Sequence, residues 1–206
     1  MLDVLLMSGM QASLFLFCLT VTMPLSMVAM ALFYSLRLIR AGINPGPFAK
    51  KLFPLLKDNL VINSTIDAVP YNTRYYVTKY GLDRNRLDEA LPALARVNLN
   101  GNCFIITLIA ITYVMFNSVG IQWFDVIVIG IIIFFLSLGA PNQPGSTLIG
   151  LLVIISYLQA PQVISLAIYS ETLFGGILSM TNAAGDIVTV AVAEKRAERK
   201  HRAKTS

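Results

Sequence analysis

The sequence predicts an all-α membrane protein built from three long membrane segments, two of them interrupted, and two re-entrant helical hairpins. Three observations carry this prediction. The 206 residues are 56% hydrophobic and 13% charged, about half the charged share of an ordinary soluble domain, and the mean hydropathy is +0.69. Lys and Arg are absent from Val97 to Glu194. Two long apolar stretches each carry a polar, glycine-containing knot, Asn98-Leu99-Asn100-Gly101-Asn102 and Thr181-Asn182-Ala183-Ala184-Gly185-Asp186. Hydrocarbon does not tolerate unpaired polar backbone or a lone carboxylate, so such knots belong where the chain lines a cavity or holds an ion.

The first segment, residues 8–36, is apolar and uncharged. As helix it reaches about 44 Å, enough to span roughly 30 Å of hydrocarbon with tilt. Arg37, Arg40, Lys50, Lys51 and Lys57 follow it, and Asn44-Pro45-Gly46-Pro47 marks a loop among them. Residues 59–73 alternate apolar side chains with Asn63, Ser64, Thr65, Asp67 and Pro70. Two readings stand there: a surface helix, or a re-entrant hairpin (about 57–80) with Asn63-Ser64-Thr65 at its tip. Residues 74–89 are strongly polar and read as a loop, in which Gly81-Leu82-Asp83 marks a helix end and a turn.

The second long segment is 90–117. Pro92 falls in its first turn, where a missing N–H is harmless, and Arg96 can snorkel back toward the preceding loop. The knot at 98–102 then interrupts the helix. Trp123 and Phe124 suit an aromatic belt at the opposite interface. Residues 125–138 and 148–158 are apolar arms on either side of Gly139-Ala140-Pro141-Asn142-Gln143-Pro144-Gly145. Two prolines and two glycines forbid a continuous helix. The arms form either a second re-entrant hairpin (125–158) or two short spans joined by an outside loop. Residues 162–193 are the last span, interrupted by the second knot and carrying Glu171 and Asp186; a basic tail, 194–206, ends the chain.

If both hairpins return to the side they entered, every Lys and Arg falls on one face. The positive-inside rule makes that face cytoplasmic, which places the N-terminus outside, the C-terminus inside, and the protein in the plasma (inner) membrane as a multi-pass chain. The N-terminus has neither a basic n-region nor a clear cleavage site, so the first helix is expected to be retained. Cys18 and Cys103 lie in apolar stretches and read as small buried hydrophobes; the single His201 is in the tail. A His/Cys metal site, an intramembrane protease and nucleic-acid binding therefore find no support. No enzymatic chemistry and no organic cofactor are expected.

These motifs together resemble the C-terminal half of the dicarboxylate/amino-acid:cation symporter family, the glutamate-transporter-like fold. Asn98-Leu99-Asn100-Gly101 resembles the family's Asn-Met-Asp-Gly motif, and Asn182 to Asp186 its Asn-x-x-Gly-Asp motif. Gly139 to Gly145 is similar to the tip of its second hairpin, and Asn63-Ser64-Thr65 with Val69-Pro70 to the tip of its first. The resemblance implies cation-coupled secondary transport, with sodium as the coupling ion and hairpin two as the outer gate. It implies a sodium site from the Leu94 carbonyl, Asn98, Asn182 and Asp186, and a second with side chains of Asn98 and Asn100. A third would use the carbonyls of Ser137, Leu138 and Ala140. Ser64, Thr65, Asn102, Gln143, Thr147, Ser179 and Asn182 would face the solute.

Three departures modify that expectation. The family's carboxylate-binding Arg corresponds to Leu178, its amine-binding Asp to Gly175, and its second-motif Asp to Asn100. Loss of the Arg removes bidentate carboxylate recognition, so a less charged amino acid or another small organic solute is expected, with fewer or weaker cation sites. The family's first half has no counterpart here. A separate N-terminal-half polypeptide, and an oligomer formed through it, is therefore the expected partner, alongside lipid. The alternative function is a non-transporting membrane partner or a truncated transporter remnant.

Overall fold

The computed structural model describes residues 17, 21, 23–98, 100–104, 106, 107, 110, 122–139, 146–159 and 164–205. Among these, seven helices are delimited: α1 (Met23–Ala41), α2 (Pro45–Ile62), α3 (Val69–Tyr80), α4 (Arg84–Val97), α5 (Trp123–Gly139), α6 (Ser146–Tyr157) and α7 (Ile164–Thr205). Residues 100–104 form a further helical piece directly after α4. Among the described residues, two helical stretches, Met23–Ala41 and Phe174–Ala203, are long and apolar enough to cross a membrane; Trp123–Leu136 and Leu148–Tyr157 are shorter apolar helices.

α2 and α3 form an antiparallel pair joined by residues 63–68. Asn44 starts α2 by accepting the Gly46 N–H at 3.0 Å, and prolines fill its first turn, where no N–H partner is needed. Asn63 ends it in the left-handed region at φ 54°, which a short polar side chain tolerates best after glycine. The pair is pinned by a reciprocal amide bridge between Asn59 and Asn72, at 2.8 and 3.2 Å. Tyr71 also donates to Asp58, Tyr75 to the Lys51 carbonyl at 2.6 Å, and Tyr80 to the Phe48 carbonyl at 2.9 Å.

The polar stretch 74–89 is mostly helix, not loop. Tyr76, Leu87 and Leu91 are almost fully buried, so α3 and α4 are amphipathic helices whose charges ride the outer face. Only residues 81–83 turn the chain. Gly81 closes α3 at φ 68°, and Asp83 opens α4 by accepting the Asn85 N–H at 3.0 Å. Because α4 begins at Arg84, Pro92 lies inside the helix rather than in its first turn.

α7 corrects a second expectation. It runs 42 residues without a break through Asn182–Asp186 and on through the basic tail. The knot contains no proline, and its single glycine costs a helix only about 1 kcal/mol, so the backbone ladder survives. The knot at 98–102, by contrast, does break its helix.

Two apolar cores hold the fold, and α7 belongs to both. Phe174 and Leu178 pack with Met23, Ile106, Ile129, Leu151 and Ile154. Ala184, Ile187 and Val188 pack with Tyr34, Leu38, Leu52, Leu55, Tyr76 and Leu91. Between these levels α7 presents Ser179, Thr181 and Asn182, all buried. α1 and α5 expose Leu25, Leu32, Phe124, Phe134 and Phe135 on their outer faces, apolar surface of a kind that hydrocarbon covers.

Candidate functional site

The buried polar layer is where the two knots meet. α4 ends as the Asn98 N–H bonds the Leu94 carbonyl at 2.7 Å, and Asn98 leaves the helical region at φ −91°, ψ 68°. The helical piece 100–104 begins, as every helix does, with N–H groups that have no acceptor within the helix. Asn182 satisfies one of them: its Oδ1 accepts the Gly101 N–H at 2.8 Å, while its Nδ2 donates to Asn102 Oδ1 at 3.0 Å. One α7 side chain thus caps the break in the facing span.

Asp186 lies one turn further along α7 and is 2% exposed. Asn98 Nδ2 donates to its Oδ1 at 2.6 Å, and to the Asn182 carbonyl at 3.4 Å. Among the described residues no Lys, Arg or His pairs with Asp186. A carboxylate in this position needs a compensating positive charge or a proton. With Asn98 Nδ2 turned toward Asp186, its Oδ1 remains an acceptor, as does the second lone pair of the Leu94 carbonyl. These are oxygen donors of the kind hard cations prefer. The described residues contain no cluster of three or more His, Cys, Asp or Glu.

Gly185 makes this convergence sterically feasible. A Cβ there would sit 2.7 Å from both Asn98 Nδ2 and Tyr34 Oη, and 3.2 Å from Asn100 Nδ2. Asn100 donates to Tyr34 Oη at 3.3 Å, and Tyr34 donates to the Thr181 carbonyl at 3.4 Å. Tyr76 donates to the Ala183 carbonyl at 3.1 Å. Neither tyrosine was legible as a site residue: Tyr34 sits in an apolar run and Tyr76 in a polar one. A buried phenol needing a partner was the only signal available.

A second, less saturated patch lies toward the start of α7. The Asn63 tip of the α2–α3 pair rests on Gly175, where a Cβ would come 2.6 Å from Asn63 Oδ1; at Gly176 a Cβ would meet the Leu60 carbonyl. One turn on, Ser179 Oγ is buried without a hydrogen-bond partner, and so is Thr65 Oγ1 at the tip. Ser64 Oγ is buried too, but accepts the Asp67 N–H at 3.3 Å. Gly175, Ser179, Asn182 and Asp186 are spaced four, three and four residues apart, which places them on one stripe of α7.

The structure therefore brings together Leu94, Asn98, Asn100, Asn102, Asn182 and Asp186, and buries Ser64, Thr65 and Ser179. Ser137 and Leu138 lie in the last turn of α5 and Thr147 in the first turn of α6. Ala140 and Gln143 are outside the described residues.

A profile of the sodium:dicarboxylate symporter family matches residues 3–196. The chain belongs to that family. Among curated relatives, excitatory amino acid transporter 4 of Mus musculus is 26% identical over 157 residues, covering 76% of this chain and 28% of the relative. Its Rattus norvegicus counterpart gives the same figures. Excitatory amino acid transporter 3 of Mus musculus is 24% identical over 153 residues, 74% of this chain and 29% of the relative. The chain thus matches under a third of the length of these relatives. The family is, by its description, one of symporters and not of enzymes.

Proposed function

We propose that this symporter-family chain forms the core of a cation-coupled secondary transporter for a small organic solute of low charge. One observation carries the reading: Asp186 is buried beside a helix break, with an amide donor from Asn98 and, among the described residues, no cationic side chain against it. Sodium binding there, with Asn98, Asn182 and the Leu94 carbonyl, would supply the missing charge, and Asn100 would contribute to a second cation site. The unpartnered hydroxyls of Thr65 and Ser179 are suited to a polar solute, flanked by Ser64, Asn102 and Asn182. Neutral Gly175 and Leu178 beside them disfavour a fixed carboxylate–amine pair as the ligand's anchor. The Gly/Pro-rich stretch 139–145, with Ser137, Leu138, Ala140, Gln143 and Thr147, would close the site as a gate facing outward, the C-terminus lying in the cytoplasm. The spans that the longer relatives possess are proposed to complete the transporter around this core.

The test is a sodium jump on proteoliposomes with a panel of neutral amino acids and small organic acids, comparing wild type with Asp186→Asn. Sodium-driven uptake that the substitution abolishes is expected. Uptake indifferent to sodium, or untouched by Asp186→Asn, contradicts the proposal.

A further inference from the structure

A cavity of about 190 Å³ opens between α1, α2 and α7. Its lining is almost wholly apolar: Met30, Tyr34, Leu38, Phe48, Leu52 and Val188 form most of the wall. An apolar cavity of about 150 Å³ holds a benzene-sized guest and stays free of water, so this one admits a stretch of hydrocarbon chain but no polar solute. Inside a bilayer the gain comes from filling the void with packed atoms, not from excluding water.

A basic corner lies one helical turn beyond the Leu38 end of the cavity. On α1 its lining residues Met27, Met30, Tyr34 and Leu38 continue at helical spacing to Gly42 in the α1–α2 turn. On α7, Ala184 and Val188 continue by the same spacing through Val192 and Lys195 to Arg199. The two stripes converge, because a Cβ on Gly42 would collide with the Arg199 guanidinium. Lys195 is paired with Glu198 at 2.9 Å. Arg199 has no carboxylate partner among the described residues. An apolar slot with one unneutralised guanidinium, that of Arg199, a helical turn beyond its Leu38 end has the charge and shape complement of a molecule with a hydrocarbon chain and an anionic head.

We infer that this slot is a seat for one anionic glycerophospholipid, an acyl chain lying between α1, α2 and α7 and the phosphate meeting Arg199 at the Gly42 corner. The seat shares Tyr34 and Thr181 with the wall of the cation cluster, but its occupancy does not depend on any transport activity.

Native mass spectrometry of the delipidated chain in detergent tests it, with dioleoylphosphatidylglycerol, dioleoylphosphatidylcholine and inorganic phosphate as probes. One phosphatidylglycerol per chain is expected to be retained, in preference to phosphatidylcholine. Arg199→Gln should reduce that preference about fivefold, the effect of one basic residue at an anionic lipid surface. Ala31→Phe, which plugs the slot from an exposed position, should lower retention of both lipids while circular dichroism shows unchanged helix content. Equal retention of the two lipids by wild type overturns the inference. So does displacement of the lipid by inorganic phosphate alone, or retention that survives Ala31→Phe.

Discussion

Replacing Asp186 by Asn separates the two roles a buried carboxylate can have. The substitution keeps size and the acceptor for Asn98 Nδ2, which now lies 2.6 Å from Asp186 Oδ1. It removes the charge. Without sodium, a lone carboxylate at 2% exposure costs several kcal/mol of desolvation. Part is returned by the charge-assisted bond, stronger than its neutral counterpart by about 1 kcal/mol. A proton taken up at pH 7 would cap the cost near ~4 kcal/mol, the work of protonating an ordinary carboxylate. Asp186→Asn should therefore be more stable than wild type in sodium-free buffer, by about 2–4 kcal/mol. Sodium reverses the order of response. At 100 times its dissociation constant it adds about 2.7 kcal/mol to wild type, about 5–10 °C in Tm for a chain of this size, and nothing to the variant. Thermal unfolding in detergent, with sodium exchanged for choline at constant ionic strength, reads both effects. A variant that keeps the sodium shift, or that is strongly destabilised without sodium, refutes the assignment of Asp186 as the cation ligand.

Other substitutions probe the supporting structure. Gly185→Ala should cost about 1–3 kcal/mol by overpacking and abolish the sodium-dependent Tm shift, since its Cβ would press on Asn98 and Tyr34. Asn59→Leu should cost about 1–3 kcal/mol because Asn72 is left buried without its partner; adding Asn72→Leu should recover much of that loss, which a double-mutant cycle measures. Gly81→Ala should cost about 1–2 kcal/mol from backbone strain alone, because no atom lies within 4 Å of the added methyl; chemical denaturation of the pair checks it.

Breaks and turns were the most legible part of the fold. Gly81-Leu82-Asp83 reads correctly as a turn because glycine in the left-handed region and an Asp cap are local devices. The break at Asn98 was equally plain. The knot at 181–186 was misread because the same residue types serve an opposite purpose there. On α7 the backbone is self-satisfied, and Asn182 spends its amide on the partner's break. Sequence shows which residues are polar but not which of two facing helices yields. The 74–89 segment was misread for a related reason: of its buried residues Tyr76 lies before the turn and Leu87 after it, and the stripe that Leu87 begins continues past residue 89 through Leu91 and Ala95. Tyr34 and Tyr76 escaped notice because their hydroxyls bond α7 carbonyls more than a hundred residues away. The meeting of the two knots followed only from family resemblance; spacing within one stretch says nothing of contact with another.

Saturable binding of radiolabelled sodium to the purified chain, wild type against Asp186→Asn, bears most directly on the central claim. Wild type should bind sodium with a defined stoichiometry that excess lithium or potassium displaces less readily than unlabelled sodium, and the variant should not bind at that site. Equal sodium binding by the two proteins, or none by wild type under conditions where it remains folded, would contradict it.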